Sequence, residues 1–462
     1  MESNTQKAID YSHEHIQEFI NSLIEFLKIQ TLSSDKAYKG EVRKGAEWLA
    51  AYLKRLDVQD IRIIDTNNNP IVYGSLDQAG EDKPTILIYG HYDVQPPDPL
   101  DEWMSPPFEP TIKDGLLFAR GSSDMKGQAM VSLAAIQSIL AFDKMPVNLK
   151  FLFEGDEEVG SPSILPFLNE YKDLFKSDFV LNLDAGMVAK DMPTIVYGLR
   201  GLAYFEIMVT GPAHDLHSGL FGGVVYNPIH ALSKLIAGMK DAHGRIQLPG
   251  FYDDVLPLEK KERDYLNALD NTDQYYIEET GVKAVFGEEG FSNVERVGAR
   301  PTLDVNGIWG GYTGEGSKTV IPSKAHAKLS MRLVPNQTPD KVRQQLTQYM
   351  QENAPKEVSW EIKQLSSDPA YITHIDSKAT RCFIQSLEKV MGKKPVFKRE
   401  GGSIPISTHF QNLLGCESVM SGFSLPGDRV HSPNERLDLE LFEQGIEVVI
   451  DYFYRVAQEC GE

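Results

Sequence analysis

The run Thr85-Ile86-Leu87-Ile88-Tyr89-Gly90-His91-Tyr92-Asp93 constrains this chain more than any other stretch. It follows Pro84 and is rich in β-branched and aromatic residues, a pattern that suits a strand buried on both faces. Gly90 breaks the run, and Pro96 and Pro97 prevent a return to regular pairing. His91 and Asp93 therefore fall at the carboxyl end of a buried strand, the functional edge of an open α/β sheet. An imidazole there can ligate a metal, and a nearby carboxylate can orient a ligating group or raise its basicity. A plain strand-end His beside a capping Asp is the competing reading, and three later stretches decide against it.

In the first of these, Leu116-Leu117-Phe118 leads through Gly121-Ser122-Ser123 to Asp124-Met125-Lys126-Gly127 and a helical pattern over 130–142. Asp124 thus stands at a strand–turn–helix junction. The glycines match neither a dinucleotide fingerprint nor a phosphate loop, so capping the helix is the alternative role for Asp124. A third buried strand over 147–153 runs into Glu154-Gly155-Asp156-Glu157-Glu158. Four acids in five residues concentrate negative charge at a cost that a cation would relieve. The apolar segment 179–183 again ends in an acid, Asp184. Strands alternating with helices predict an α/β doubly wound sheet whose acids gather at one edge.

Apolar residues at helical spacing (Ile16, Phe19, Ile20, Leu23, Ile24, Leu27) predict an amphipathic helix near the start, and a second is expected over 41–56. Segments 61–64 and 71–73 flank an Asn-rich turn and read as a hairpin. From Gly201 the character changes. Strands near 202–209, 302–309, 325–334 and 358–362, with helices over 228–239 and 338–350, give the order β-α-β-β-α-β of a small ferredoxin-like α+β domain. A helix over 378–390 and a closing helix from about Leu441 resume the first pattern. The expected organisation is a discontinuous domain, 1–201 and 378–462, carrying an inserted domain over 202–377.

At 462 residues the chain suits two or more domains. Its formal charge of −20 argues against a nucleic-acid partner, which would need clustered Lys and Arg. Cys382, Cys416 and Cys460 are few and widely spaced, so no disulfide framework or thiolate site is indicated and a reducing compartment fits. The N-terminus lacks the basic start and apolar core of a signal peptide, and no run is apolar enough to span a membrane. A soluble, cytoplasmic protein is expected.

His91, Asp124, Glu158, Asp184 and His431 form a set of imidazoles and carboxylates without thiols, suited to zinc or manganese in a catalytic centre. If one carboxylate bridges, two ions share five side chains, and the acidic cluster is neutralised once metal is counted. Adjacent Glu157 and Glu158 cannot flank a sugar from opposite sides, which excludes a glycosidase pair.

The segments Gly90-His91-Tyr92-Asp93-Val94, Gly121-Ser122-Ser123-Asp124-Met125-Lys126-Gly127, Glu154-Gly155-Asp156-Glu157-Glu158-Val159-Gly160-Ser161 and His431-Ser432-Pro433-Asn434-Glu435 resemble the aminoacylase/carboxypeptidase G family of dinuclear metallopeptidases. Asp215-Leu216-His217-Ser218-Gly219, Lys318-Thr319-Val320-Ile321-Pro322, Arg332-Leu333-Val334-Pro335-Asn336 and Gly401-Gly402-Ser403-Ile404-Pro405 narrow the likeness to its cytosolic nonspecific dipeptidase and carnosinase branch. The branch usually has Asp-Asp-Lys-Gly where this chain has Asp124-Met125-Lys126-Gly127, and Asp-Asn where it has Asp184-Ala185; both differences flank the ligands.

The resemblance implies a dipeptidase with two divalent ions per subunit, zinc or alternatively manganese. Asp124 would bridge them, His91 and Asp184 would complete one, and Glu158 and His431 the other. It further implies Glu157 as general base, Asp93 as partner of His91, and His217 as stabiliser of the oxyanion. Arg332 would take the substrate carboxylate bidentately, alongside Thr319, Gly402 and Ser403. The inserted domain would be a lid and dimerisation unit that donates His217 across a homodimer. Hydrolysis of N-acyl amino acids at the same centre is the alternative activity, and a non-catalytic binding protein is opposed by the intact Glu157 and ligands.

Overall fold

A computed structural model describes residues 2–269, 271–402 and 405–459. The chain forms two compact units, Met1–Tyr197 with Thr373–Phe397 and Ile406–Glu462, and Gly198–Ile372 with Lys398–Pro405. The eight residues Lys398–Pro405 thus cluster with the second unit, although the sequence reading placed them with the first. That short segment returns to the second unit between two stretches that pack elsewhere, a long-range pairing that no local pattern signals.

The first unit is built on a sheet whose strands lie in the order Gln59–Ile64, Ile71–Leu76, Asn148–Glu154, Thr85–His91, Phe179–Asn182, Glu417–Met420, Thr194–Leu199. Thr85–His91 pairs in parallel with Asn148–Glu154 on one side and Phe179–Asn182 on the other, and Glu417–Met420 extends the parallel set. The outer pairings are antiparallel, including the expected hairpin. Because the chain leaves the His91 strand, pairs on one flank and then returns on the other, that strand is a topological switch point. Such a point opens a crevice beyond the carboxyl ends of the strands. The helix Lys126–Leu140 packs on the His91 strand and on the closing helix Leu439–Glu459. It is buried almost all round, which explains why it reads as apolar without a polar stripe.

Several elements differ from the sequence reading. Two helices open the chain, Glu2–Glu14 ahead of Ile16–Leu27; the first is polar enough to hide its period. Leu116–Phe118 lies in a separate small sheet with Thr111–Lys113 and Arg436–Asp438. The strands Thr194–Leu199 and Glu417–Met420 were not anticipated, since each is a short run between turn residues. Cys382 and Cys416 are buried and are not joined in a disulfide, and Cys460 lies outside the described residues.

The second unit carries an antiparallel sheet in the order Thr302–Gly310, Lys324–Leu333, Gly201–Thr210, Ser359–Asp368. Ala203, Phe205, Ile207 and Val209 alternate inward and meet Leu232, Leu235, Leu346 and Met350 from the helices Pro228–Gly238 and Pro339–Asn353. The spatial order of the strands is that of a ferredoxin-like fold. Between them lie short helices that the sequence reading left blank: Lys260–Asn267, Asp273–Thr280 and Asn293–Gly298. Among the described residues, no helix is long and apolar enough to cross a membrane.

Candidate metal centre

The parallel strands deliver the donors to one edge. His91 ends its strand with a fully buried side chain. Its Nε2 lies 3.0 Å from Asp124 Oδ1 and 3.7 Å from Asp184 Oδ1. Asp184 follows the strand Phe179–Asn182, and its amide donates to Asn182 Oδ1 at 2.8 Å. The other oxygen of Asp124, Oδ2, lies 2.9 Å from His431 Nε2, which in turn is 3.1 Å from Glu158 Oε2. Asp124 therefore offers one oxygen to each imidazole. Two groups result, His91–Asp124–Asp184 and Asp124–Glu158–His431, each with ligand atoms within 4.8 Å of one another.

This donor set fits a pair of divalent cations. Imidazole and carboxylate without thiolate is the chemistry zinc and manganese accept, and one shared carboxylate links two adjacent ions. The electrostatics agree. Burial opposes ionisation of Asp124, yet hydrogen bonds from His431 and His91 hold its carboxyl well below the usual range. Burial would depress His91, but Asp184, Asp124 and Asp93 outweigh it and raise the imidazole well above its ordinary value. His431 is pushed up to about 10 by its bonds to Asp124 and Glu158. Positive charge on the two imidazoles would offset part of the charge of Asp124, Asp184 and Glu158, a role that bound cations would take over.

Around these donors lies a ring of orienting contacts. The Asp93 carbonyl is 3.1 Å from His91 Nδ1, closer than the Asp93 carboxylate at 3.5 Å. That carboxylate instead accepts from the Glu157 and Glu158 amides, at 3.2 and 3.0 Å. Asp93 therefore holds both the His91 ring and the turn carrying the two glutamates. Gln95 Nε2 donates to Glu158 Oε2 at 2.9 Å. Among the described residues, Glu157 makes no direct hydrogen bond to either imidazole. Burial, then the charges of Asp184, Glu158 and Asp124, push its carboxyl well above the usual carboxylate range despite His91. Such a group is disposed to accept a proton.

In the second unit, His217 pairs across a two-strand ladder with Val320, and Ser218 N donates to Thr319 O at 3.0 Å. His217 and Thr319 are thereby neighbours and both exposed. His217 Nδ1 accepts from Gly219 N at 3.0 Å. Arg332 lies on Lys324–Leu333, opposite Thr302 and Leu202. It is the second cause, after burial, that lowers Arg200 to about 10. Arg200 Nε donates to Gly401 O at 3.1 Å, so two guanidinium groups and the Gly401-Gly402 turn share one locality. Ser403 lies outside the described residues.

The model of peptidase family M20/M25/M40 matches residues 87–455. The chain belongs to this family. As an M20 family member it is a peptide-bond hydrolase with a metal-binding site. It is 32% identical over 483 residues to the Cys-Gly metallodipeptidase dug1 of Schizosaccharomyces pombe, covering 99% of both chains. It is 30% identical over 470 residues to the beta-Ala-His dipeptidase of Homo sapiens, covering 98% of this chain and 93% of the relative. The solved M20 family metallo-carboxypeptidase Sso-CP2 from Sulfolobus solfataricus has the same fold, with a TM-score of 0.84, 33% identity and coverage of 96% and 99%.

Sequence reasoning gave no role to Gln95, which follows the Gly90–Val94 motif but holds Glu158, 63 residues away, a pairing that no spacing signals.

Proposed function

We propose that this chain is a cytoplasmic dipeptidase that cleaves free dipeptides at a centre of two divalent ions, zinc or alternatively manganese. The observation that carries the reading is Asp124, whose two oxygens serve separate imidazole–carboxylate groups. His91 and Asp184 would hold one ion, Glu158 and His431 the other. Bound there, the ions would polarise the scissile carbonyl and ease ionisation of water. Glu157 takes the proton from the attacking water and returns it to the leaving amine. Asp93 fixes His91 and, through two amides, the orientation of Glu157 and Glu158. His217 stabilises the developing oxyanion, and Arg332, with Thr319, Gly402 and Ser403, holds the substrate's terminal carboxylate. The inserted unit serves as lid and dimerisation domain, with His217 acting in the partner subunit of a homodimer. These assignments of the second unit rest on its motifs and on the chemistry of the groups.

Two relatives named as dipeptidases, alike over nearly the whole chain, support this substrate class. The likeness to a metallo-carboxypeptidase favours a second reading, in which longer peptides lose their last residue. The deciding experiment offers metal-loaded protein dipeptides, tripeptides, longer peptides and N-acyl amino acids. Preference for dipeptides is expected; efficient trimming of long peptides selects the second reading. Turnover of N-acyl amino acids alone would overturn both.

A further inference from the structure

We propose that Glu435 is the positioning residue that fixes Asp124 against His431, and so sets the geometry of both ion-holding groups. The Glu435 side chain is wholly buried, and both its oxygens are engaged. Oε2 accepts from Arg120 Nη1 at 2.7 Å and from Gly121 N at 2.9 Å. Oε1 accepts from Ser123 N at 2.9 Å and from Asp124 N at 3.0 Å. One carboxylate therefore gathers three amides of the turn, the last belonging to the shared ligand itself. The Glu435 carbonyl also accepts from Ala119 N, at 3.1 Å, so the turn is pinned from its start to its end.

The turn needs such a clip. Gly121 has φ +85°, and a Cβ there would come within 2.7 Å of Val94 Cγ1. The sheet strand Leu116–Phe118 and the helix Lys126–Leu140 bracket a largely buried stretch that belongs to neither. Buried amides without acceptors are strongly disfavoured, and here one side chain accepts from Gly121, Ser123 and Asp124, while Arg120 and Ser122 donate to the carbonyls of Pro107 and Ala119.

The other end of the clip is what gives it a role in the centre. Glu435 lies four residues after His431, on a segment where Arg429, His431 and Asn434 have φ of 58°, 62° and 65°. The segment itself lies outside helix and sheet, ahead of the strand Arg436–Asp438, so side-chain contacts help to set its place. Asn434 Nδ2 donates to Glu102 O at 2.8 Å and its Oδ1 accepts from Met104 N at 2.7 Å. Glu435 fastens the same segment to the Asp124 turn. The 2.9 Å approach of His431 to Asp124 thus depends on Glu435, through backbone at both ends.

This inference rests on Asp124 being the shared ligand, and the test separates the two claims. Zinc affinity is measured by competition with a chromophoric chelator for wild type, Glu435→Gln and Glu435→Asp. Amide hydrogen exchange at Gly121, Ser123 and Asp124 is followed in metal-free protein. Wild type should bind two zinc ions per chain. Glu435→Gln should lose roughly 10- to 100-fold in affinity for both, the usual effect of disturbing a group that orients a ligand. Glu435→Asp keeps the charge but withdraws the carboxylate, and should lose affinity too. Exchange at the three amides should quicken in both variants. If Glu435→Asp binds zinc like wild type while Glu435→Gln does not, charge alone is at work and positioning is refuted. Wild-type affinity and protection in a folded Glu435→Gln refutes it as well. Should Glu435→Gln not fold, the Glu435→Asp arm decides alone. Failure of wild type to bind zinc would sink the dinuclear reading, while the exchange arm still tests the clip.

Discussion

The two halves of the ion-holding cluster are built by opposite means. His91 stands at the end of a strand hydrogen-bonded on both flanks, with its side chain 0% exposed. His431 stands on an irregular segment with left-handed backbone, its side chain 52% exposed. In the first half, sheet register fixes the ligand, and displacement would cost a row of backbone bonds. In the second, a few side chains (Glu435, Asn434 and Gln95) do the same work, each removable by one substitution. A rigid half and a half assembled from clips share one carboxylate, Asp124. The His431 half should accordingly be the one that exchanges its ion more readily.

The largest effects come from Glu157, proposed as the proton acceptor, and from Asp124, which both halves share. Glu157→Gln should lower turnover by about 10²- to 10⁴-fold while both ions stay bound, because an amide cannot accept the proton. Asp124→Ala should instead lose ions from both halves. Metal analysis beside steady-state rates distinguishes them, and loss of metal in the Glu157 variant would mean that the two glutamates have been exchanged.

Next in size is the direct contrast of the imidazoles. In metal-free protein His91→Ala leaves Asp184 without its imidazole partner and Asp124 with His431 alone, and should cost about 3–5 kcal/mol of stability. His431→Ala removes a half-exposed group and should cost under about 1 kcal/mol. Urea unfolding of the two variants checks this; equal losses would erase the distinction between a rigid and a clipped half.

A smaller, pH-dependent effect lies behind the buried half. Glu154 ends the strand beside His91, and burial raises its carboxyl from 4.5 to about 8, against the bond from Tyr89 Oη at 2.8 Å. The folded protein thus keeps a proton that the unfolded chain releases above about 4.5. Between those two values the folded state binds more protons, so this carboxyl makes stability fall as pH rises. Glu154→Gln should flatten that decline in urea midpoints measured from pH 5 to 8. A variant with the wild-type slope would show that Glu154 ionises freely in the folded chain.

The same contrast governs what could be read from the sequence. His91, Glu158 and Asp184 announce themselves because an apolar strand points at each of them, and strand pattern is local. The inserted unit was legible for the same reason: Ala203, Phe205, Ile207 and Val209 alternate as a half-buried strand must. Glu435 and Asn434 were visible only as the tail of a motif, since their partners lie 311 and 330 residues away. The hydrogen bonds of a clip leave no period. The polar first helix and the short helices between Lys260 and Gly298 were missed for a related cause: each buries too little apolar surface to show a stripe.

The smallest expected effect is the sharpest probe of the clipped half. Gln95 Nε2 donates to Glu158 Oε2, the same oxygen that faces His431, and also to the Glu158 carbonyl at 3.1 Å. Among the described residues its side-chain bonds go to Glu158 and to no ligand of the His91 half. Gln95→Met keeps the length and removes both bonds, so Glu158 gains rotational freedom without losing its charge. One such bond contributes roughly 0.5–1.5 kcal/mol, a two- to tenfold change in affinity. Stepwise zinc titration should show that change in one binding event and leave the other as in wild type. If both events weaken together, the halves are coupled more tightly than a single shared carboxylate would make them. Asp93, whose carboxylate holds the Glu157–Glu158 turn while its carbonyl holds His91, would then be the link to mutate next.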